Sequence, residues 1–367
     1  MKNQLTYKQS GVNYKTIDYL KRIAQVAGEN TIKNLPENYK EVSASRGESA
    51  HVVDVGEYYF ASVIEGLGTK NLVADEMYKL TGKTHYDNVA YDTVAMIVND
   101  LITVGAKPLT LMAYWAAGSS DWFKDKKRAD DLVTGWTKAS NDSGVVWGGG
   151  ETPVLSKIIN KDSIDLAGSC FGIINPKSNL CLGEKLQAGD RIILFESIGI
   201  HANGLTLARK IVDNLPEGYL TKVDGEKTYG ELLLIPTIIY AKLIEDLLKN
   251  NIDIHYMVNI TGHGWRKLMR HKKELTYRIT NLPPVLKVLK FIVDHGNLDN
   301  KEAYGNLNMG TGFAIFVPES DVAQVLKLAE AHNIKAYNYG VVEDGEKKVI
   351  LEPKNITFKK ESLQVRA

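Results

Sequence analysis

The chain has 367 residues, 44% hydrophobic and 24% charged, an ordinary balance for a soluble globular enzyme with room for two domains and a large core. Lys and Arg number 45 against 44 Asp and Glu, and the formal charge of +1 excludes a general nucleic-acid or membrane-binding surface. Two cysteines, Cys170 and Cys181, exclude a disulfide framework, and no run approaches the ~18 apolar residues of a membrane helix, so a cytoplasmic location is expected.

In chain order, residues 14–27 carry helical spacing through Ile17, Leu20, Ile23 and Ala24, and residues 34–50 read as a mobile loop. Residues 52–64 are rich in strand formers. Residues 88–104 form the clearest helix: Val89, Thr93, Ile97, Leu101 and Val104 recur at intervals of three or four, and Gly105 with Pro108 ends it. A strand at 109–116, a helix at 124–143 and a strand at 165–174 follow. Residues 176–190 are polar and glycine-punctuated and read as a domain junction. The second half is expected to contain a strand at 191–196, helices at 204–214 and 229–250, a strand at 254–260, and a helix at 283–295. A strand at 312–318, a helix at 319–332 and strands within 336–352 complete it. Strands and helices alternate without strict βαβ regularity, which predicts an α/β or α+β fold in two domains, 1–175 and 176–367.

The most informative stretch is Ser62-Val63-Ile64-Glu65-Gly66-Leu67-Gly68-Thr69-Lys70. A strand ends in a carboxylate, two glycines and a lysine. Glycine removes the Cβ that would block close approach, so bare amides and an ammonium can face a phosphate. A carboxylate beside phosphates repels them unless a cation lies between, so Glu65 points to Mg²⁺. Glycine clusters recur at Gly148-Gly149-Gly150-Glu151-Thr152, His201-Ala202-Asn203-Gly204, Thr261-Gly262-His263-Gly264 and Asn308-Met309-Gly310-Thr311-Gly312, each adjoining a strand-like run. Thr81-Gly82-Lys83-Thr84 ends like a P-loop, but Met77 stands where its first glycine is required, so no phosphate cradle is expected there.

Helix 88–104 offers Asp92, Asn99 and Asp100. A buried carboxylate needs a cation or donors, and Asp100 lies near the helix C-terminus, where the dipole disfavours an anion. Both aspartates are therefore cation-site candidates, Asp100 the better one. His201, in a glycine-flanked turn, is the best acid–base or substrate-contact candidate, and His263 is a weaker one.

The ordered set of motifs resembles the phosphoribosylformylglycinamidine cyclo-ligase (aminoimidazole ribonucleotide synthetase) family. The similarity runs from Tyr7-Lys8-Gln9-Ser10-Gly11-Val12 through Glu65-Gly66-Leu67-Gly68-Thr69-Lys70, where the family usually has Asp-Gly-Val-Gly-Thr-Lys. It continues through the segment from Asp92 to Leu101, Gly105-Ala106-Lys107-Pro108, Gly149-Gly150-Glu151-Thr152 and Asp165-Leu166-Ala167-Gly168. His201-Ala202-Asn203-Gly204, Ile260-Thr261-Gly262-His263-Gly264 and Asn308-Met309-Gly310-Thr311-Gly312 complete the order. The resemblance implies a two-domain fold, a homodimer whose N-terminal sheets join in a barrel, a C-terminal α/β sandwich, and use of ATP with Mg²⁺. It implies ATP-driven ring closure of formylglycinamidine ribonucleotide. By position, Gly66, Gly68, Thr69 and Lys70 would face nucleotide phosphates, with Asp92, Gly149, Gly150 and Glu151 also on the ATP side. Glu65 and Asp100 would hold Mg²⁺; Thr152, Asn203 and Gly204 would meet substrate; His201, Lys70 and Asp100 would be catalytic.

The chain also departs from that family. Glu65 replaces the usual Asp, Ala113 stands where Asp is common, and Pro153-Val154-Leu155-Ser156-Lys157 replaces Ala-Glu-Met-Pro-Gly. The glycine-rich N-terminal loop is reduced to Ser45-Arg46-Gly47-Glu48-Ser49. A kinase or ligase of the same superfamily, similar to thiamine-monophosphate kinase, and a nucleotide-binding protein without catalysis are the alternative readings.

Overall fold

The computed structural model describes residues 14–366. The Tyr7-Lys8-Gln9-Ser10-Gly11-Val12 opening lies outside the described residues. Helix α1 (Tyr14–Glu29) is followed by β1 (Lys40–Glu41), β2 (His51–Asp54), β3 (Tyr59–Gly66), α2 (Lys70–Thr81) and α3 (Tyr86–Leu101). Then come β4 (Lys107–Ala117), α4 (Lys126–Ser143), β5 (Val146–Glu151) and β6 (Ile164–Ile174). These six strands form one sheet in the order β1-β2-β3-β6-β4-β5, antiparallel except for the β4/β5 pair.

The alternation in β6 explains which face is covered. Ile164, Leu166, Cys170 and Ile174 are buried while Asp165 is exposed. On the covered face Gly168 and Gly172 let α3 lie close: a Cβ at Gly168 would come 2.9 Å from Ile97, and one at Gly172 3.0 Å from Leu101. Helix α4 packs on α3 equally tightly. A Cβ on Gly135 would meet the Asp87 carbonyl oxygen at 2.0 Å, so Gly135→Ala must push two helices apart. Its expected cost is about 1–3 kcal/mol, read as a lower urea midpoint at unchanged slope.

The second half contains β7 (Arg191–Glu196), α5 (Leu205–Val212), the short hairpin β8 (Lys222–Asp224) and β9 (Lys227–Thr228), α6 (Tyr229–Leu233) and α7 (Ala241–Lys249). After these come β10 (Tyr256–Asn259), β11 (Leu275–Ile279), α8 (Lys287–Gly296), α9 (Asn300–Asn306) and β12 (Thr311–Val317). Helix α10 (Val322–Ala331) and strands β13 (Ala336–Asp344), β14 (Lys348–Leu351) and β15 (Ile356–Lys359) end it. A seven-stranded sheet runs β10-β12-β7-β13-β11-β14-β15, with β12 buried at every position.

Several expectations need correction. Residues 52–64 form a hairpin rather than one strand, turning at Gly56, whose φ is +100°. The 34–50 segment is built, not loose: β1 pairs with β2, and Arg270 and Arg366 donate to the carbonyls of Gly47, Ala44 and Arg46. The expected helix 229–250 is two helices. Pro236 cannot donate a helical N–H, and the intervening segment 235–240 has neither helix nor strand structure and docks on α3 instead. There Asn99 accepts from the Tyr240 amide at 3.0 Å and donates to the Ile238 carbonyl at 2.8 Å. Strands β11 and β15 and helix α9 were not anticipated. Gly82 is the left-handed cap of α2, so the P-loop lookalike is a helix end.

Candidate active site in the cleft between the two sheets

Strand β3 ends by delivering Glu65 and Gly66 to the cleft floor, and the chain turns at Gly68, φ +78°, into α2. Thr69 is the cap residue of α2. Across the cleft, Gly204 (φ +93°) opens α5. Two helix N-termini thus flank one hollow of about 230 Å³, lined by Glu65, Gly66, Gly68, Thr69, Asn203 and Gly204 together with Leu205 and Thr206. Unsatisfied amides and the positive ends of two helix dipoles suit an anion, phosphate above all.

Helix α3 brings Asp100 to the same hollow. Its carboxylate accepts from Asn259 Nδ2 at 2.7 Å, at the end of β10. Glu65 and Asp100 line the same hollow, and burial first, then the Asp100 charge, push the Glu65 carboxyl well above its ordinary range. Two acidic groups so placed need either a shared proton or a cation between them. A hard divalent ion fits this oxygen-donor pair, with its remaining positions left to water and phosphate. Among the described residues no group of three or more His, Cys, Asp or Glu side chains offers a closed metal cage.

A second hollow of about 430 Å³ shares Glu65, Asp100, Asn203 and Thr261 with the first. It reaches Lys21 on α1, Glu48 and Lys267. Lys267 is buried, donates to Thr261 Oγ1, and its ammonium is lowered by burial against the pull of Asp100. The carboxylate pair therefore sits at the seam of two compartments, a layout that suits transfer of a group from one ligand to another.

Both domains match known families: the AIR synthase related protein N-terminal domain over residues 47–174 and its C-terminal domain over 187–352. The chain is 34% identical over 345 residues to the phosphoribosylformylglycinamidine cyclo-ligase of Methanococcus maripaludis strain C6, covering 93% of each chain. To the enzyme of that name from Carboxydothermus hydrogenoformans it is 35% identical over 359 residues, covering 95% of this chain and 99% of the relative. The chain belongs to the phosphoribosylformylglycinamidine cyclo-ligase family.

The fold is shared more widely. A HypE–HypF complex superposes with a TM-score of 0.61 at 16% identity, covering 92% of this chain and 98% of that one. Thermotoga maritima PurL complexed with ATP superposes with a TM-score of 0.55 at 15% identity, covering 87% and 46%.

Not every residue expected from the cyclo-ligase resemblance reaches the cleft. Lys70 is fully buried and does not face it; its Nζ lies 2.5 Å from Asp92 and donates to the carbonyls of His201 and Ile235 at 3.1 and 2.9 Å. Asp92 is equally buried and also accepts from the Thr237 amide at 2.7 Å and from its hydroxyl. This pair clamps the second half onto α3, because only charges that satisfy each other tolerate such burial. His201, at φ +59°, turns inward and its Nε2 has no partner among the described residues. Its Cε1 is 2.5 Å from where a Cβ on Gly312 would stand. Burial, and secondarily Lys70, lower its pKa to about 3, so it stays neutral and is displaced from the expected acid–base position. His263 bonds Asp18 of α1 at 3.1 Å.

Gly149, Gly150 and Glu151 lie on β5, the sheet edge three strand spacings, roughly 14 Å, from β3, with Thr152 just beyond. They do not enter the cleft within one chain. Conversely, Asn259 and Lys267 were missed. Asn259 looked like one more residue of the 254–260 strand and Lys267 like part of a packing segment. The available signal was a polar side chain on either side of the Thr261-Gly262 turn.

Proposed function

We propose that this chain closes formylglycinamidine ribonucleotide to aminoimidazole ribonucleotide, driven by ATP, with Glu65 and Asp100 at the reacting centre. The observation that carries this reading is that both of these carboxyl groups line two adjoining hollows at their seam, flanked by two helix N-termini. The amides around Gly66, Gly68 and Thr69 and those opening α5 would hold the nucleotide phosphates in the smaller hollow. Glu65 and Asp100 would hold Mg²⁺, with the Asn259 carboxamide beside them. When bound there, Mg²⁺ neutralises phosphate charge and orients the terminal phosphoryl group. Asn203, Gly204 and Thr261 would orient the substrate where the hollows meet, and Lys267 would counter the charge it acquires.

In the reaction, the amide oxygen of the substrate attacks the terminal phosphorus of ATP and ADP leaves. A substrate nitrogen then adds to the activated carbon, the C–O bond breaks, and inorganic phosphate departs with the amide oxygen as a proton is released. The amide oxygen is a poor leaving group until it is phosphorylated, and the fixed amides stabilise the developing charge without reorganising.

The uncovered face of the first sheet supports a homodimer. It carries Ile64, Val146 and Leu109, which are 75%, 67% and 41% exposed. Phe60 and Phe171 stack there with centroids 5.7 Å apart. Pairing through that face would join the six-stranded sheets of two copies into a barrel and bring Gly149, Gly150, Glu151 and Thr152 toward the partner's cleft. Among the described residues no helix is long and apolar enough to cross a membrane, in keeping with a cytoplasmic enzyme. The test is a coupled ADP assay: formylglycinamidine ribonucleotide with ATP and Mg²⁺ should stimulate ADP formation at least tenfold over ATP alone. ATP binding with no substrate-stimulated ADP would overturn the reading.

A further inference from the structure

A basin of about 740 Å³ adjoins the larger cleft hollow, the two sharing Gln25, Arg270, Leu363 and Val365 as a common wall. It is walled by α1, the 43–46 turn, the end of β11's leading loop and the C-terminal segment after β15. Six cationic side chains line it: Arg22, Arg46, Lys272, Lys347, Lys360 and Arg366, with Arg270 on the border shared with the cleft. Its lining carboxylates are Glu29, Glu274 and Glu361. Two more stand behind the wall and neutralise part of the charge: Glu41 pairs with Arg46 at 2.7 Å, and Glu48 pairs with Arg366 and with Arg270.

The remaining cations are the informative ones. Lys360 reaches Glu274 at 3.4 Å, whereas Lys272 and Lys347 have no ion pair among the described residues. Arg46 Nε is buried with no hydrogen-bond partner among the described residues. Lys347 is half-buried with Arg366 and Lys360 as like-charged neighbours, and burial followed by those charges lowers its ammonium against the pull of Glu274 and Glu48. A chain of nearly zero net charge has thus gathered a concave cationic surface whose members repel one another, with donors left over. A bound anion relieves both the repulsion and the unmatched donors. The volume lies within the range of small-molecule sites.

We propose that this basin is a second ligand site, separate from the cleft, for a phosphorylated small molecule of nucleotide size. Its occupant would be read chiefly by its phosphate, through Lys272, Lys347 and Arg46. It would also be felt in the cleft, because Arg366 and Arg270 hold the 43–49 turn whose Gly47, Glu48 and Ser49 line the cleft on the other side.

The experiment is calorimetric titration of the full chain with AMP and, separately, inorganic phosphate, each with the cleft first saturated by ATP and Mg²⁺. Binding that persists under saturation, weakens at least tenfold in Lys347→Glu and in Lys272→Glu, and weakens with added NaCl is the expected result. Lys347→Met, which removes charge without reversing it, should weaken binding by a smaller factor and guards against misfolding as the cause. Tighter binding of AMP than of phosphate would mean that a nucleotide is read; equal binding would mean that phosphate alone is, and both support the site. If the lysine variants bind AMP and phosphate as the parent does, with or without ATP, the basin is not a ligand site. Should ATP itself fail to bind the cleft, AMP titration of the lysine variants still reports on the basin, so the two proposals fail separately.

Discussion

Asp100→Asn should lower turnover by on the order of 10²-fold or more, because it removes one of two carboxylates from the reacting centre. The same substitution should leave the unliganded protein as stable as the parent or more so. The Glu65 carboxyl is pushed up by burial and by the Asp100 charge, a cost that a carboxamide relieves, and this relief offsets the pull on the buried Lys267 that is lost with the Asp100 charge. Asn259, which now donates to Asp100, can donate to the carboxamide oxygen instead. Lost activity with retained or raised stability marks a residue kept for chemistry rather than for folding. A matched fall in both would assign Asp100 to the scaffold, and unchanged turnover would remove it from the site. Paired steady-state kinetics and urea unfolding decide.

Lys70→Met should act in the opposite way, chiefly on stability. The Lys70–Asp92 pair is fully buried, and removing one member leaves the other charge without its partner, a loss of about 3–5 kcal/mol. Asp92 would keep its two donors from Thr237, which places the loss toward the lower end. Lys70 would also no longer tie the carbonyls of His201 and Ile235, so the 235–240 segment should loosen from α3. The double variant Lys70→Met, Asp92→Asn should be more stable than Lys70→Met alone, since no buried charge remains. Urea midpoints test the order, and hydrogen exchange at residues 237–240 tests where the loosening occurs. A Lys70→Met protein of parental stability would contradict the clamp.

Sequence periodicity made much of this architecture legible. Helix α3 was readable because its apolar residues recur at the helical period, and β7 because its apolar run is bounded by polar segments. The 229–250 segment was not, because its apolar content satisfies a helix and a docked irregular segment alike. Only the docking of residues 237–240 on Asn99 and Asp92 decides between them. The same limit governs the site. The glycine turn after Glu65 has to lie at a strand end and so shows itself locally. Whether the lysine four residues after Gly66 faces a ligand or an aspartate depends on α3, 22 residues further along, and on the second half of the chain. His201 looked functional for its loop and its glycines. The turn serves packing instead: its left-handed φ points the imidazole inward, where Gly312 on β12 gives it room. Lys267 was hidden for the converse reason, since a lone lysine in a packing segment has no local mark of facing two carboxylates.

The central claim is that the cleft activates an amide oxygen by phosphorylation. The most direct measurement is the fate of ¹⁸O placed in the amide carbonyl of formylglycinamidine ribonucleotide. The label is expected in inorganic phosphate, one atom for each ADP formed. Phosphate carrying only oxygen from solvent or from ATP, at full conversion to the ring product, would contradict it.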